Sequence, residues 1–271
     1  MDELDRIKNL SPEEQQQELE RLQACEHNCD TCSAECSSKV TKPASLVIPV
    51  MGGKGGTGKS VVTVLLAKAL VRQGLRVAVL DADIAGGSVP ALLGMTEPVL
   101  GDAPDLVPIE GPCGFGVVSM ALILDKPEEP ILWPGHDLAR LAVWLLRDTK
   151  WPKDLDVLLV DMPSGAGDIP LEYYTTMPLD YSIAVTEPGE LSGPMARRAV
   201  NLADMLRVPV MGVVHNFAQE DMDYAACCAT LPVLAELPYD GALRRCAAAG
   251  RLAEYETDAF DYLARAIGEL R

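Results

Sequence analysis

The sequence predicts an α/β fold: a doubly wound, mostly parallel sheet preceded by a short cysteine-rich appendage. From Leu46 onward, short apolar runs alternate with stretches of helical length and periodicity, which is typical of parallel strands joined by crossover helices. The first 44 residues are instead polar and contain four closely spaced cysteines. We therefore expect a helix, a metal-binding segment and a linker over residues 1–44, and an α/β domain over residues 45–271.

The N-terminal part begins with a helix start signal. Ser11 can cap a helix, and Pro12 suits its first turn. The predicted helix, about Pro12 to Ala24, is rich in Gln and Glu and has few large apolar residues, so it can bury little surface. Residues 37–45 are polar and include Pro43, which predicts a linker.

The rest of the chain predicts buried strands separated by helices. Six apolar runs predict parallel strands: Leu46–Met51, Arg76–Leu80, Phe115–Met120, Val157–Val160, Tyr181–Val185 and Val208–Val214. A further strand is expected at Leu234–Leu237. Helical periodicity predicts helices at Lys59–Arg72, His136–Arg147 and Leu191–Leu206. Near the C-terminus, apolar residues spaced by three and four predict a helix packed on the core: Phe260, Leu263, Ile267 and Leu270.

The charge of the chain excludes some classes of partner. Its 40 acidic and 23 basic residues give a net charge of -17, which disfavours binding to DNA or to an anionic membrane. No apolar run is long enough to span a bilayer, and residues 1–10 lack the apolar region of a signal peptide. We therefore expect a cytoplasmic protein with neither nucleic acid nor membrane as a partner.

Four of the eight cysteines lie within twelve residues: Cys25, Cys29, Cys32 and Cys36. Disulfides rarely persist in the cytosol, so this run predicts a metal site. Four thiolates in one short run are typical of [4Fe-4S] ligation, and zinc is the alternative because it also accepts four thiolates. Cys113 and Cys246 are expected to be structural.

A glycine-rich loop lies between the first predicted strand and the first predicted helix. It fits the pattern G-x-x-x-x-G-K-[ST] with Gly53, Lys54, Gly55, Gly56, Thr57, Gly58, Lys59 and Ser60. Such a loop holds phosphate oxygens with its backbone N–H groups, while Lys59 reaches the β- and γ-phosphates and Ser60 binds Mg²⁺. The alternative is a dinucleotide fingerprint with Asp81 as the ribose-binding acid, but that site needs neither Lys59 nor Ser60.

Acidic residues follow two of the predicted strands. Asp81 and Asp83 end the second strand, and Asp161 ends a later one, so all three are expected at the sheet edge that carries the loop. They predict a Mg²⁺ site formed by Ser60, Asp83 and Asp161, in which Asp83 also positions the attacking water. The N–H of Gly165 is expected to approach the terminal phosphate.

Lys54, the second residue of the loop, makes the sequence resemble the deviant Walker A ATPases, a SIMIBI-like group of P-loop NTPases that includes MinD, ParA and the nitrogenase iron protein. The resemblance implies a homodimer in which Lys54 of each subunit contacts the phosphates bound by the other. Hydrolysis would then depend on dimerisation, since the second lysine stabilises charge on the transferring phosphoryl group. Lys54, Lys59 and Asp83 are the catalytic candidates.

Within that group, the chain is most similar to the Mrp-type iron–sulfur carrier ATPases from about Leu46 to the C-terminus. Residues 80–90 and 161–168 resemble their two switch segments, and the strand ending at Asn216 resembles the one whose terminal Asn contacts adenine. The chain departs from the family pattern at Gly87 (usually Pro), Ser164 (usually Pro) and Ala166 (usually Thr). These departures put the rate of hydrolysis in question rather than nucleotide binding.

The family usually has a C-P-x-C pair that bridges a [4Fe-4S] cluster across the dimer. Here the region shortly after Asn216 contains only the adjacent Cys227 and Cys228, so ligation of a second cluster and an incidental role are both open. The resemblance implies an ATP-hydrolysing carrier that delivers [4Fe-4S] clusters to apoproteins or to a related carrier subunit. The alternatives are an ATP-gated reductase like the nitrogenase iron protein and a positioning ATPase like ParA or MinD.

Overall fold

The computed structural model describes residues 41–96, 106–124, 135–189, 192–219 and 231–271. The predicted N-terminal helix, the four-cysteine segment and the pair Cys227 and Cys228 lie outside these ranges. The proposed boundary between residues 44 and 45 remains a prediction.

The described residues form eight strands and seven α-helices, numbered here in chain order. The strands are β1 (Leu46–Gly52), β2 (Val77–Asp81), β3 (Ile109–Glu110), β4 (Gly116–Ser119), β5 (Val157–Asp161), β6 (Ser182–Thr186), β7 (Val210–Ala218) and β8 (Val233–Pro238). The helices are α1 (Lys59–Arg72), α2 (Val89–Leu93), α3 (Gly135–Asp148), α4 (Asp168–Thr176), α5 (Ser192–Met205), α6 (Gly241–Ala248) and α7 (Asp261–Glu269). Two 3₁₀ turns cover Met120–Leu122 and Leu252–Glu254.

All of the strands belong to one sheet, in the order β3-β4-β2-β5-β1-β6-β7-β8. β3 is antiparallel to β4, and the other neighbouring pairs are parallel. The chain leaves β1 toward β2 on one side and later adds β6 on the other, so β1 lies at the point where the strand order reverses. Ligands of doubly wound sheets bind at this point, beyond the carboxyl ends of the strands.

The sheet is buried on both faces. Along β1, Ile48 and Val50 pack with α1, α2, α6 and α7, whereas Val47 and Met51 pack with α3, α4 and α5. Successive side chains of a strand point to opposite faces, and both faces here are covered by helices. The strands are therefore unbroken apolar runs in the sequence. The predicted doubly wound α/β fold is confirmed.

The structure adds elements that the sequence analysis did not predict. These are the edge strand β3 and the helices α2, α4 and α6. β7 also continues past the predicted end at Val214 to Ala218, because it stays paired with β8 through Ala218 and Pro238. His215 and Asn216 are therefore buried strand residues. No helix within the described ranges is both long and apolar enough to cross a bilayer.

Candidate nucleotide site

The loop between β1 and α1 is held in place from two sides. A Cβ atom on Gly53 would lie 2.0 Å from the backbone carbon of Met195, so the loop touches the first turn of α5. Gly58 has a φ of 82°, and a Cβ there would lie 2.1 Å from Nδ2 of Asn216. Gly53 therefore has no room for a side chain. Gly58 has none either, and its left-handed conformation also favours glycine.

Asn216 connects the loop to β7. Its Nδ2 donates to the carbonyl oxygen of Thr57 at 2.8 Å, and its Oδ1 accepts from the N–H of Phe217 at 3.0 Å. The side chain is 1% exposed, so these bonds form away from solvent, where they are strongest. Asn216 therefore fixes the shape of the phosphate loop, and its contact with adenine stays a prediction.

Asn216 also lines a pocket of about 260 Å³ beside the loop. Its lining includes the apolar residues Val61, Leu243 and Ala247. The rings of Phe217 and Tyr239, whose centroids are 6.3 Å apart, line it as well. An apolar slot with aromatic walls suits a planar base. The sequence analysis predicted neither aromatic residue, although Pro238-Tyr239-Asp240-Gly241 is a turn signal at the end of a strand.

Asp240 shapes one wall of this pocket. Its Oδ1 accepts from the N–H of Ala242 at 2.7 Å and caps α6, and its Oδ2 accepts from the hydroxyl of Tyr255 at 2.9 Å. The bond from Ala242 contributes most to lowering the pKa of Asp240. The carboxylate therefore orders the start of α6.

Lys59, Ser60 and Asp161 meet at the start of α1. Lys59 is 8% exposed, and its Nζ donates to Oγ of Ser164 at 2.8 Å. Asp161 accepts hydrogen bonds from the hydroxyls of Ser60 and Thr63, the latter at 3.1 Å. The structure thus brings together the predicted phosphate lysine and two of the predicted Mg²⁺ residues.

Asp81 and Asp161 are opposite each other in the pairing of β2 with β5, and each is 1% exposed. Burial raises the pKa of Asp161 to about 6, against the opposing effect of the Ser60 hydroxyl and of the nearby charge of Lys59. The pKa of Asp81 is raised well above its usual range, first by burial and then by the charge of Asp161. Negative charge is therefore poorly compensated at this point.

Asp81 was placed at this sheet edge in the sequence analysis and named for the dinucleotide alternative, but it was not included among the predicted Mg²⁺ or nucleotide residues. Its Oδ2 accepts from Oγ of Ser119 at 3.1 Å and from the N–H of Val89 at 3.2 Å, which ties the first switch segment to β4. Its Oδ1 has no hydrogen-bond partner among the described residues. The D-x-D spacing of Asp81 and Asp83 was the sequence feature from which Asp81 could have been predicted as a site residue. Asp83 itself accepts from the N–H of Gly86 at 3.1 Å and is only partly buried.

These residues fit a divalent cation. Mg²⁺ is usually held by one or two carboxylates together with phosphate oxygens and waters, and the uncompensated charge of Asp81 and Asp161 would be neutralised by it. Within the described ranges, no cluster of three or more His, Cys, Asp or Glu side chains could hold a metal ion. Cys113 and Cys246, expected to be structural, are partly buried free thiols.

Two predicted phosphate contacts are engaged elsewhere in this structure. Lys54 forms an ion pair with Glu187, which follows β6, and both side chains are partly exposed. The N–H of Gly165 donates to the carbonyl oxygen of Gly52 at 2.9 Å. Each group would have to leave its present partner before it could contact a phosphate.

The doubly wound sheet and its Lys54-containing phosphate loop define the class of protein as a P-loop NTPase. Residues 44–231 match the ParA family described as NUBPL iron-transfer P-loop NTPase. The chain belongs to this family, which confirms the resemblance inferred from the loop and the switch segments.

Similar proteins agree with this assignment. The chain is 33% identical to the iron–sulfur cluster carrier protein of Clostridium perfringens over 264 residues, covering 84% of this chain and 92% of the relative. It is 36% identical to the Methanococcus maripaludis protein of the same name, covering 71% of this chain and 72% of that protein. Among solved structures, the nucleotide-binding protein of Archaeoglobus fulgidus in complex with ADP matches with a TM-score of 0.68 and 30% identity, covering 81% of this chain and 92% of that one. The MinD ATPase of Pyrococcus furiosus shares the fold, with a TM-score of 0.61. It is 23% identical, and the match covers 84% of this chain and 100% of that one.

Proposed function

We propose that this protein is an ATP-hydrolysing carrier of [4Fe-4S] clusters that delivers them to apoproteins. The observation that carries the proposal is one chain that combines a Lys54-containing phosphate loop with four cysteines within twelve residues. Membership of an iron-transfer NTPase family and relatives named as cluster carriers support it. A protein that handles free thiolates and clusters needs reducing surroundings, so we place it in the cytoplasm.

The nucleotide reaction is the hydrolysis of ATP to ADP and phosphate. The loop N–H groups and the start of α1 hold the phosphates, and the adenine enters the slot between Val61 and Tyr239. Lys59 turns to the β- and γ-phosphate oxygens, while Asp83 orients the attacking water. Mg²⁺, held through Ser60, Asp83 and Asp161, supplies positive charge that offsets the charge of the phosphate oxygens.

The working unit in this proposal is a homodimer. Lys54 leaves Glu187 and reaches across the interface to the nucleotide of the partner subunit. A lysine supplied from the partner makes hydrolysis conditional on pairing, because the charge on the transferring group is stabilised only in the dimer. ATP binding then favours the paired state, and hydrolysis favours the separate subunits.

The cluster is the cargo of this cycle. Cys25, Cys29, Cys32 and Cys36 are the proposed ligands, with Cys227 and Cys228 as candidates for a second site. Iron–sulfur clusters are held by thiolates, which these residues supply in a short run. The paired and separate states must differ in affinity for the cluster, or hydrolysis could not drive its release. A related carrier subunit is a second kind of recipient.

Metal analysis of the reconstituted protein tests this function. The full chain, loaded anaerobically with iron and sulfide, is expected to hold both in equal amounts and to show charge-transfer absorption in the visible range. Cys32→Ala and Cys36→Ala should lose most of that signal. Cys113→Ala is the matched control, since Cys113 lies in the α/β domain, and it should keep the signal.

A second measurement follows the transfer of the cluster to an acceptor protein. The loaded chain is mixed with an apoprotein that needs a [4Fe-4S] cluster, and activation of the acceptor is recorded with MgATP and with MgADP. Faster activation with MgATP supports the proposal. A chain that binds zinc alone under these conditions, or transfer at equal rates with both nucleotides, would refute it.

A further inference from the structure

Ser164 lies directly above the phosphate loop. It belongs to the segment between β5 and α4, and its Oγ accepts the hydrogen bond from Nζ of Lys59 at 2.8 Å. On the other side of the loop, a Cβ atom placed on Gly55 would be 3.9 Å from the same Oγ. The hydroxyl therefore lies between two loop residues that border the space for phosphate.

The backbone on either side of Ser164 is anchored to β1. The N–H of Met162 donates to the carbonyl oxygen of Val50 at 3.1 Å, and the N–H of Gly165 donates to that of Gly52 at 2.9 Å. These bonds hold the segment against the strand that leads into the loop. The backbone of Ser164 is therefore held beside the loop independently of its contact with Lys59.

The phosphate contacts expected of the loop indicate which phosphate Ser164 could reach. The loop N–H groups and the start of α1 surround the β-phosphate from below, and Lys59 bridges the β- and γ-phosphates. Ser164 belongs to the segment after a neighbouring strand and touches Lys59, the residue that bridges to the γ-phosphate, so the terminal phosphate is the one within its expected reach. A hydroxyl can donate to a phosphate oxygen, and such charge-assisted bonds are among the stronger ones in proteins.

We propose that Ser164 distinguishes ATP from ADP in this protein. In this structure, its oxygen accepts from Lys59. With ATP bound, Lys59 moves to the phosphates, and the freed hydroxyl donates a hydrogen bond to an oxygen of the γ-phosphate, a contact that ADP cannot offer. No covalent bond changes in this exchange. The N–H of Gly165, predicted to approach the same phosphate, donates to Gly52 in this structure and would first have to leave it.

Calorimetric titration of the full chain with Mg²⁺ and two probes, ADP and the non-hydrolysable adenylyl imidodiphosphate, tests the proposal. In Ser164→Ala, the preference for the triphosphate over ADP should fall about tenfold, the value of one charge-assisted hydrogen bond. Ser164→Pro should behave in the same way, because proline has no hydroxyl. Ser164→Thr keeps the hydroxyl and should retain most of the preference.

Thr175→Ala is the matched control. Thr175 is an exposed hydroxyl of α4 that donates to Leu171 and Glu172 within its own helix, and its removal should leave both affinities unchanged. Thermal unfolding of each variant shows that it is folded. The proposal is overturned if Ser164→Ala keeps the wild-type preference, or if it changes both affinities by the same factor, which would make Ser164 a partner of Lys59 alone. The assay uses no cluster, so its failure would leave the carrier function untouched.

Discussion

At the scale of single residues, Asp81 and Asp161 are an unfavourable pair of buried carboxylates. Two carboxylates are buried at the ends of adjacent strands, and one oxygen of Asp81 has no hydrogen-bond partner among the described residues. Removing a charge from water destabilises the fold unless a partner compensates it. We infer that the pair is retained for ligand binding, since the cation of a bound nucleotide supplies the missing positive charge.

Asp161→Asn tests this inference. Burial raises the pKa of Asp161 from 3.8 to about 6, so between these values the folded protein binds more protons than the unfolded chain. The free energy of unfolding therefore falls as pH rises through this range and stays lower above it. Asp161→Asn should lack the part of this fall that Asp161 causes, whereas Asp81, whose pKa is also raised, still contributes its own part. At pH 7.5 the variant should exceed the wild type by about 2 kcal/mol in urea denaturation.

The same variant should lose MgATP hydrolysis. Stability and activity then change in opposite directions, which is expected of a residue kept for its chemistry. The control is Asp204→Asn, an exposed aspartate of α5. If the free energy of unfolding of Asp161→Asn depends on pH as that of the wild type does, the assignment of a raised pKa to Asp161 is wrong.

At the scale of elements, the phosphate loop depends on contacts with α5 and β7 as well as on its own glycines. Gly53 packs on the backbone of Met195, and Asn216 binds the carbonyl oxygen of Thr57. The loop is therefore shaped before any nucleotide arrives. Preformed N–H groups need little ordering when they bind phosphate.

Gly53→Ala should disturb this packing. The new methyl group would meet the backbone of Met195 at 2.0 Å, and backbone atoms cannot turn away as a side chain can. Either α5 or the loop must shift, so we expect a loss of about 2 to 4 kcal/mol in the free energy of unfolding, measured by chemical denaturation. Gly55→Ala is the control in the same loop, since its methyl group would meet Ser164 at 3.9 Å. Equal losses in both variants would contradict the packing argument.

At the scale of the whole molecule, the ion pair of Lys54 with Glu187 would compete with the proposed dimerisation. Lys54 follows β1 and Glu187 follows β6, so the two neighbouring strands place them at the same sheet edge. In the proposed dimer, Lys54 must give up this partner. A partly exposed pair is worth at most about 1 kcal/mol, so the competition is modest and reversible.

Glu187→Gln should therefore strengthen dimerisation. With Mg²⁺ and adenylyl imidodiphosphate, the dimer dissociation constant should fall about two- to fivefold in sedimentation equilibrium, since no ion pair has to break. The control is Glu254→Gln, which removes another exposed ion pair, that of Glu254 with Arg251. It should leave the dimer dissociation constant unchanged. Lys54→Ala should bind ADP normally but fail to dimerise or hydrolyse ATP. Weaker dimerisation of Glu187→Gln would show that this carboxylate belongs to the interface.

Much of the fold could be predicted because its signals are local. The strands β1, β2 and β5 are buried on both faces, which forces unbroken apolar runs, and the phosphate loop is one continuous stretch from Gly53 to Ser60. The short helices α2, α4 and α6 escaped prediction because they offer too few turns for a periodic pattern. The edge strand β3 escaped because two residues carry no alternation.

The sequence by itself determined the fold class, the phosphate loop and the residues that end each strand, since each of these depends on neighbours along the chain. The tertiary structure decided which of those ends meet. Asp81 opposite Asp161, Lys59 on Ser164 and Lys54 on Glu187 join residues that lie 80 to 133 positions apart. Such pairs follow from strand order and register, which arise from the packing of the whole sheet and which no local run of residues encodes.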